Sequence, residues 1–279
     1  MEHFYPLFDS VEQALERTME DRISLVRNIP NDVFGLATWR YYQMRRWPIL
    51  QSYLSPLPSE EVQSRFAGGR GEALLPKACF FANYIERIAY KLFGRSDLRY
   101  LDYGCGWGRL TRFLPRLTEF SQITAVDPLE EVKDYLGSDA LRSRFSCIPA
   151  CPEIGEIPGQ HDIAFLFSVM THTPPRVNVA IASALHKCLD NGGILITTVR
   201  PKSFWSYTKK FWAGYDRDKL ELLHDNKGYA CMMYPDNENY GDVSYHHEYF
   251  RNSLPGFELI EMNYCAMDPF QILYCFRKV

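Results

Sequence analysis

The sequence predicts an α/β fold: a mostly parallel sheet with helices on both faces, an antiparallel last strand and a helical N-terminal cap. Three observations predict it. From Leu98 onward, short apolar runs alternate with helical patterns, and repeated βα units imply a parallel sheet. A glycine-rich turn, Gly104-Cys105-Gly106-Trp107-Gly108, joins the first run to a helix-like stretch. The last two apolar runs, 257–264 and 270–277, are separated only by Cys265 to Pro269. So short a link permits a hairpin and forbids a parallel crossover.

Residues 1–96 read as the cap and substrate region. Val11, Leu15, Met19 and Ile23 recur every four residues after Asp9 and Ser10 as candidate caps, which predicts a helix over 11–29. Residues 36–54 are aromatic and basic, with Trp39, Tyr41, Tyr42 and Trp47 beside Arg40, Arg45 and Arg46. Gly68-Gly69-Arg70-Gly71 is a break. Phe81, Ile85, Ile88 and Leu92 share one face of a helix predicted over 74–93. Residues 97–279 read as the main domain, with a cap-like insertion at about 201–245. Its strands are expected at 98–102, 122–127, 145–150, 162–167 and 193–200, then at the last two runs. Helices are expected at 109–117, 130–136 and 176–189, the last one stopped by Asn191-Gly192-Gly193.

Composition bounds the function. Hydrophobic residues are 46% and charged residues 23% of 279, enough for a substantial core. A formal net charge of −3 lacks the basic footprint of a general nucleic-acid binder. None of the eight cysteines forms a C-x-x-C pair, so no metal site is expected and the thiols read as reduced. The first residues lack a basic and apolar leader, and no apolar run approaches the roughly 18 residues of a membrane span. A cytoplasmic protein without a membrane partner is expected.

The residues from Leu101 to Gly108 carry most of the functional signal. A strand ends in Asp102, and glycines come after it at Gly104, Gly106 and Gly108. Glycine accepts positive φ and lets a ligand approach the backbone. A dinucleotide fingerprint needs G-x-G-x-x-G, but here Arg109 holds the third position. A plain βα turn and a phosphate-binding turn are the competing readings. Asp127 closes the second strand roughly 20 residues beyond the glycines, where an acid hydrogen-bonds ribose hydroxyls in open α/β sheets. It also suits a helix N-cap, because Pro128 comes next.

The pattern D-x-G-C-G-x-G resembles motif I of the class I S-adenosylmethionine-dependent methyltransferases. The resemblance extends over about residues 97–279. It implies a Rossmann-like seven-stranded sheet with its last strand antiparallel. It implies S-adenosyl-L-methionine as cofactor and S-adenosyl-L-homocysteine as product. Asp102, Gly104, Cys105, Gly106 and Gly108 would hold the methionine end, and Asp127 and Pro128 the ribose. Ala150 and Cys151, after the third strand, would border the adenine. Phe167 and Ser168, after the fourth, would face the cofactor. Phe167 to His172 resembles the motif IV region of small-molecule methyltransferases. That makes His172 a candidate base, with His246 as the second.

Phe204 to Tyr249 is dense in aromatics, and Trp205, Tyr207, Trp212, Tyr215, Tyr229 and Tyr234 are candidates for a cavity or for packing. Ser244 is the expected cap of a helix that holds Glu248 in its first turn. The sequence thus points to methyl transfer onto a small or medium-sized acceptor, O or N before C, with the cap and insertion forming the acceptor site. The alternatives are a macromolecular methyltransferase, with Arg40, Arg45, Arg46, Lys209 and Lys210 as a local basic patch, and a non-catalytic cofactor-binding scaffold.

Overall fold

The computed structural model describes residues 1–18, 22–208, 215–264 and 267–279. Met19, Lys209, Lys210, Trp212 and Cys265 lie outside the described residues. The chain divides into two compact units, Met1–Cys147 and Ile148–Val279. The cap helices therefore belong to the same unit as the first three strands.

In the first unit, helices Tyr5–Arg17, Arg22–Arg27, Asn31–Trp39, Glu60–Ala67 and Leu75–Phe93 precede the strands. The apolar spacing explains their packing. Phe8, Leu15, Val26, Phe34, Ile85 and Ile88 are almost wholly buried. Asp9 and Ser10 are not caps, because the first helix starts at Tyr5 with Pro6 in its opening turn. Asp9 instead accepts the Trp47 indole N–H at 2.8 Å. Ser59 caps Glu60–Ala67 by accepting the Val62 N–H at 3.4 Å. The basic stretch is largely engaged: Arg40 pairs with Glu72, and Arg45 and Arg46 lie over Tyr42, Tyr5 and Trp47.

Strands β1 (Tyr100–Tyr103), β2 (Ile123–Asp127) and β3 (Phe145–Cys147) pair in parallel. The third is shorter than the 145–150 expected, so Ala150 and Cys151 lie in bends beyond it. The stretch expected as a helix at 109–117 is the 3-10 helix Thr111–Arg116. Pro115 sits inside it and has no N–H to complete an α-helical ladder.

The second unit contributes β4 (His161–Leu166), β5 (Leu189–Val199), β6 (Tyr229–Tyr234), β7 (Asn237–Tyr245), β8 (Phe257–Tyr264) and β9 (Ile272–Lys278). β4 and β5 run parallel. β9 is antiparallel to both β5 and β8, in register Ile196↔Cys275 and Leu259↔Phe276. Seven strands form one sheet in the order β3-β2-β1-β4-β5-β9-β8. The antiparallel last strand is as the short link required.

Two local expectations were wrong. Helix Pro175–Cys188 passes directly into β5 at Leu189, which is already extended at φ −87 and ψ 144. Asn191 and Gly192 thus lie within the strand rather than stopping the helix. The stretch 240–250 does not start its helix at the expected cap Ser244. Its first half belongs to β7, which pairs with β6 as a separate two-stranded sheet.

That hairpin depends on one small residue. A Cβ on Gly241 would sit 2.3 Å from the Met232 carbonyl oxygen of the facing strand. Gly241→Ala is expected to lower unfolding stability by about 1–3 kcal/mol, the usual cost of overpacking. Urea unfolding checks it, and hydrogen exchange should show faster opening of 229–245 than of β5.

Candidate functional site

The first unit builds the glycine loop between β1 and the 3-10 helix. Gly106 and Gly108 adopt φ +51 and +77, which disfavour any other residue. Gly108 is also sterically closed, since a Cβ would meet Leu136 Cδ2 at 2.5 Å. The loop is tied to the end of β2 at two levels. Gly104 and Cys105 donate their N–H groups to the Val126 carbonyl at 2.8 and 3.1 Å. The Gly106 N–H donates to Asp127 Oδ2 at 2.9 Å, while Asp127 Oδ1 accepts the Leu129 N–H at 3.0 Å.

Asp127 is thus a buried carboxylate that already holds the loop and the turn after β2. Burial raises its pKa, and the two N–H bonds oppose that. A carboxylate has about four acceptor positions, so two bonds leave capacity for hydroxyl donors. The ribose and capping readings are therefore compatible.

Asp102 lies deeper. Its Oδ2 accepts the Thr111 hydroxyl at 2.6 Å. Burial pushes its pKa up to about 7, the nearby Asp127 charge adds to that, and the Thr111 bond opposes it. Thr111 begins the 3-10 helix, so this acid fixes the exit of the glycine loop. Cys105 is buried and Pro128 is exposed.

The second unit places the remaining expected residues beyond β4. Phe167 and Ser168 come just after the end of that strand and are half-buried. Ser168 has φ +60, a left-handed conformation uncommon for a non-glycine residue. Two bonds hold it there: its N–H donates to Thr198 Oγ1 at 2.9 Å, and its hydroxyl donates to Gln271 Oε1 at 3.0 Å.

His172 has both ring nitrogens engaged. Nδ1 meets the Gly241 carbonyl oxygen at 2.6 Å, and Nε2 lies 3.0 Å from Arg200 Nη2. The carbonyl accepts from Nδ1–H, so Nε2 accepts from the guanidinium. Burial pulls the His172 pKa down to about 3, helped by the Arg200 charge. Arg200 also pairs with Asp242. Backbone bonds run the same way: Gly241 N–H donates to the His172 carbonyl at 2.8 Å, and Val243 N–H to that of Thr171 at 3.0 Å. His172 therefore fastens β7 to the segment after β4.

His246 is exposed and caps helix His247–Phe250, its side chain accepting the Glu248 N–H at 3.3 Å. Ser244, expected as that cap, is buried in β7 and bonds to Trp205 Nε1 at 2.6 Å and His224 Nδ1 at 2.8 Å. The insertion's aromatics largely pack on themselves. Phe204 and Trp205 form a core with Leu220 and Ala230, flanked by Tyr215 and Met232. Trp205 is thus packing rather than cavity lining. Sequence reasoning missed Arg200, Asp242, Thr198 and Gln271, which come together only through strand pairing. The one available signal was a lone arginine ending an apolar strand. Among the described residues, no group of three or more His, Cys, Asp or Glu is arranged to hold a metal.

The buried acid makes a pH-dependent prediction. Asp102 keeps its proton in the folded state until about 7 but releases it near 3.8 when unfolded. Its contribution to stability is present below 3.8 and is lost as pH rises toward about 7. His172 and His224 are pulled down to about 3 and about 4, so they act oppositely as pH falls below 6.5. The difference between Asp102→Asn and wild type isolates the acid. The variant should gain stability relative to wild type as pH rises across that window, as measured by denaturant unfolding at several pH values. A constant difference would rule out the buried charge.

Residues 101–193 match the protein-family model described as a methyltransferase domain. No curated protein matches the chain. Among solved structures, the chain is similar to an S-adenosylmethionine-dependent methyltransferase from Clostridium acetobutylicum ATCC 824, at 16% identity and a TM-score of 0.52, covering 71% of this chain and 91% of that one. It is also similar to the PH0226 protein from Pyrococcus horikoshii OT3, at 14% identity and a TM-score of 0.51, covering 85% and 99%. At such identities these structures establish the fold. The matched segment spans β1 to β5 and includes the glycine loop and Asp127. The sheet order, the D-x-G-C-G-x-G loop and the methyltransferase-domain match over residues 101–193 agree, and they give this chain the fold of the class I S-adenosylmethionine-dependent methyltransferases.

Proposed function

We propose that this enzyme methylates an oxygen or nitrogen of a small or medium-sized acceptor. The observation that carries the cofactor half is the coupling of Asp127 to Gly106. One carboxylate both shapes the glycine loop and retains acceptor capacity for a vicinal diol. The residues fit S-adenosyl-L-methionine: Gly104, Cys105, Gly106 and Gly108 offer close backbone approach, and Asp102 stands behind them for the methionine end. Asp127 and Pro128 serve the ribose, and Ala150 and Cys151 the adenine. Phe167 and Ser168 complete the set. When bound, the cofactor would supply an activated methyl group for an acceptor lone pair.

The protein's share is orientation, which alone can supply roughly 7–11 kcal/mol. His172 is a positioning residue in this reading, because Arg200 occupies the lone pair a base would need. His246 is exposed and carries the proton-accepting role. The net charge of −3 supports a small acceptor over nucleic acid. The cytoplasmic location expected from the cysteine pattern belongs to the same proposal.

Two measurements test this. S-adenosyl-L-homocysteine binding by calorimetry should be micromolar for wild type and should collapse in Asp127→Ala. Unaltered affinity would remove the ribose role. Methyl-tritiated cofactor should then label small hydroxyl or amino compounds from a mixed panel, and His246→Gln should slow that transfer by about 10²-fold or more. Label recovered only in RNA or protein would overturn the acceptor class.

A further inference from the structure

The glycine loop has an inner face as well as a ligand face, and Arg112 occupies the inner one. Its side chain is wholly buried. The guanidinium donates to the Trp107 carbonyl, to the Pro56 carbonyl at 2.8 Å and to the Tyr135 carbonyl at 2.5 Å. It also lies 5.2 Å from the centre of the Trp107 ring. These three carbonyls come from the N-terminal cap, the glycine loop and the short helix after β2, and none is an acid. Two glycines admit the group. A Cβ on Gly108 would sit 2.8 Å from Arg112 Nη1, and one on Gly137 would sit 3.2 Å from Nη2 and 2.5 Å from the Pro56 oxygen.

We infer that Arg112 is a positioning residue for the cofactor, holding the Trp107 carbonyl from behind so that the 104–108 backbone faces the ligand, and making that geometry depend on Pro56 of the cap. A planar guanidinium can serve several carbonyls in fixed directions, and an ammonium cannot match that fork. Trp107 stands between Gly106 and Gly108, both at positive φ. Without an inner tether those glycines leave the loop many conformations. Burying a cation without a counter-ion is costly, and the three carbonyl dipoles offset that cost only while all three stay in place. The cap is thereby part of the cofactor site rather than only a cover for the acceptor. The inference rests on the loop being the cofactor site, so its test must separate the two.

The test measures S-adenosyl-L-homocysteine affinity by calorimetry and stability by scanning calorimetry, on the full chain. Arg112→Lys keeps the charge and loses the fork. Gly137→Ala leaves Arg112 intact and pushes Pro56 away from it. Arg116→Met is the control: that arginine is also buried and bonds the Ile29 carbonyl and Glu86, away from the loop. Arg112→Lys and Gly137→Ala should each weaken binding about tenfold or more, the scale of a lost charge-assisted hydrogen bond. Arg116→Met should lose stability and bind as wild type does. If Arg112→Lys does not fold, Gly137→Ala decides alone. Wild-type affinity in the folded loop variants overturns the inference, as does equal weakening in Arg116→Met. Absence of binding by wild type overturns the cofactor reading itself.

Discussion

One hydrogen bond organises the first unit, the bond from the Gly106 N–H to the Asp127 carboxylate. It joins the turn after β1 to the end of β2, and the parallel register Tyr103↔Val126 brings those ends together. Asp127 must end its strand, and Gly106 must accept positive φ, for the bond to form. The other ties of the loop agree with it: Val126 takes two further loop N–H groups, and Asp102 holds Thr111. A loop fixed this way presents backbone to a ligand without having to be ordered on binding, which lowers the entropic cost of association.

Charge is placed inside this unit at some expense. Asp102 and Arg112 are both buried, and their hydrogen bonds run to a hydroxyl and to carbonyls rather than to an opposite charge. Burial moves both toward neutrality, Asp102 up to about 7 and Arg112 down to about 9. Buried groups of this kind are retained at sites where they shape chemistry or binding more often than in plain cores. In the second unit the neutral His172 plays a comparable structural part, held between a guanidinium and a carbonyl.

The parts of the fold readable in the sequence were those with local causes. The alternation of runs gave five parallel-type strands, and the link from Cys265 to Pro269 gave the antiparallel end. The motif loop and Asp127 were legible because glycine and a strand-ending acid are demanded by backbone geometry. Other features had non-local or overlooked causes. The β6–β7 hairpin was hidden in an aromatic insertion, although Pro235-Asp236-Asn237 between two strand-like runs is turn chemistry. Pro115 inside a helical pattern makes that segment a 3-10 helix. His172 reads in the sequence only as a histidine shortly after the fourth strand, because its partners come from elsewhere: Arg200 follows β5, and Gly241 lies in β7. No spacing rule reveals that both its nitrogens are occupied.

A cofactor resting against the glycine loop with its ribose on Asp127 is the central claim. A crystal structure of the chain with S-adenosyl-L-homocysteine tests this most directly. The predicted result is both ribose hydroxyls within about 2.6–3.2 Å of the Asp127 carboxylate, with the homocysteine portion along Gly104 to Gly108. A ligand bound elsewhere, or one whose ribose has no contact with Asp127, would contradict it.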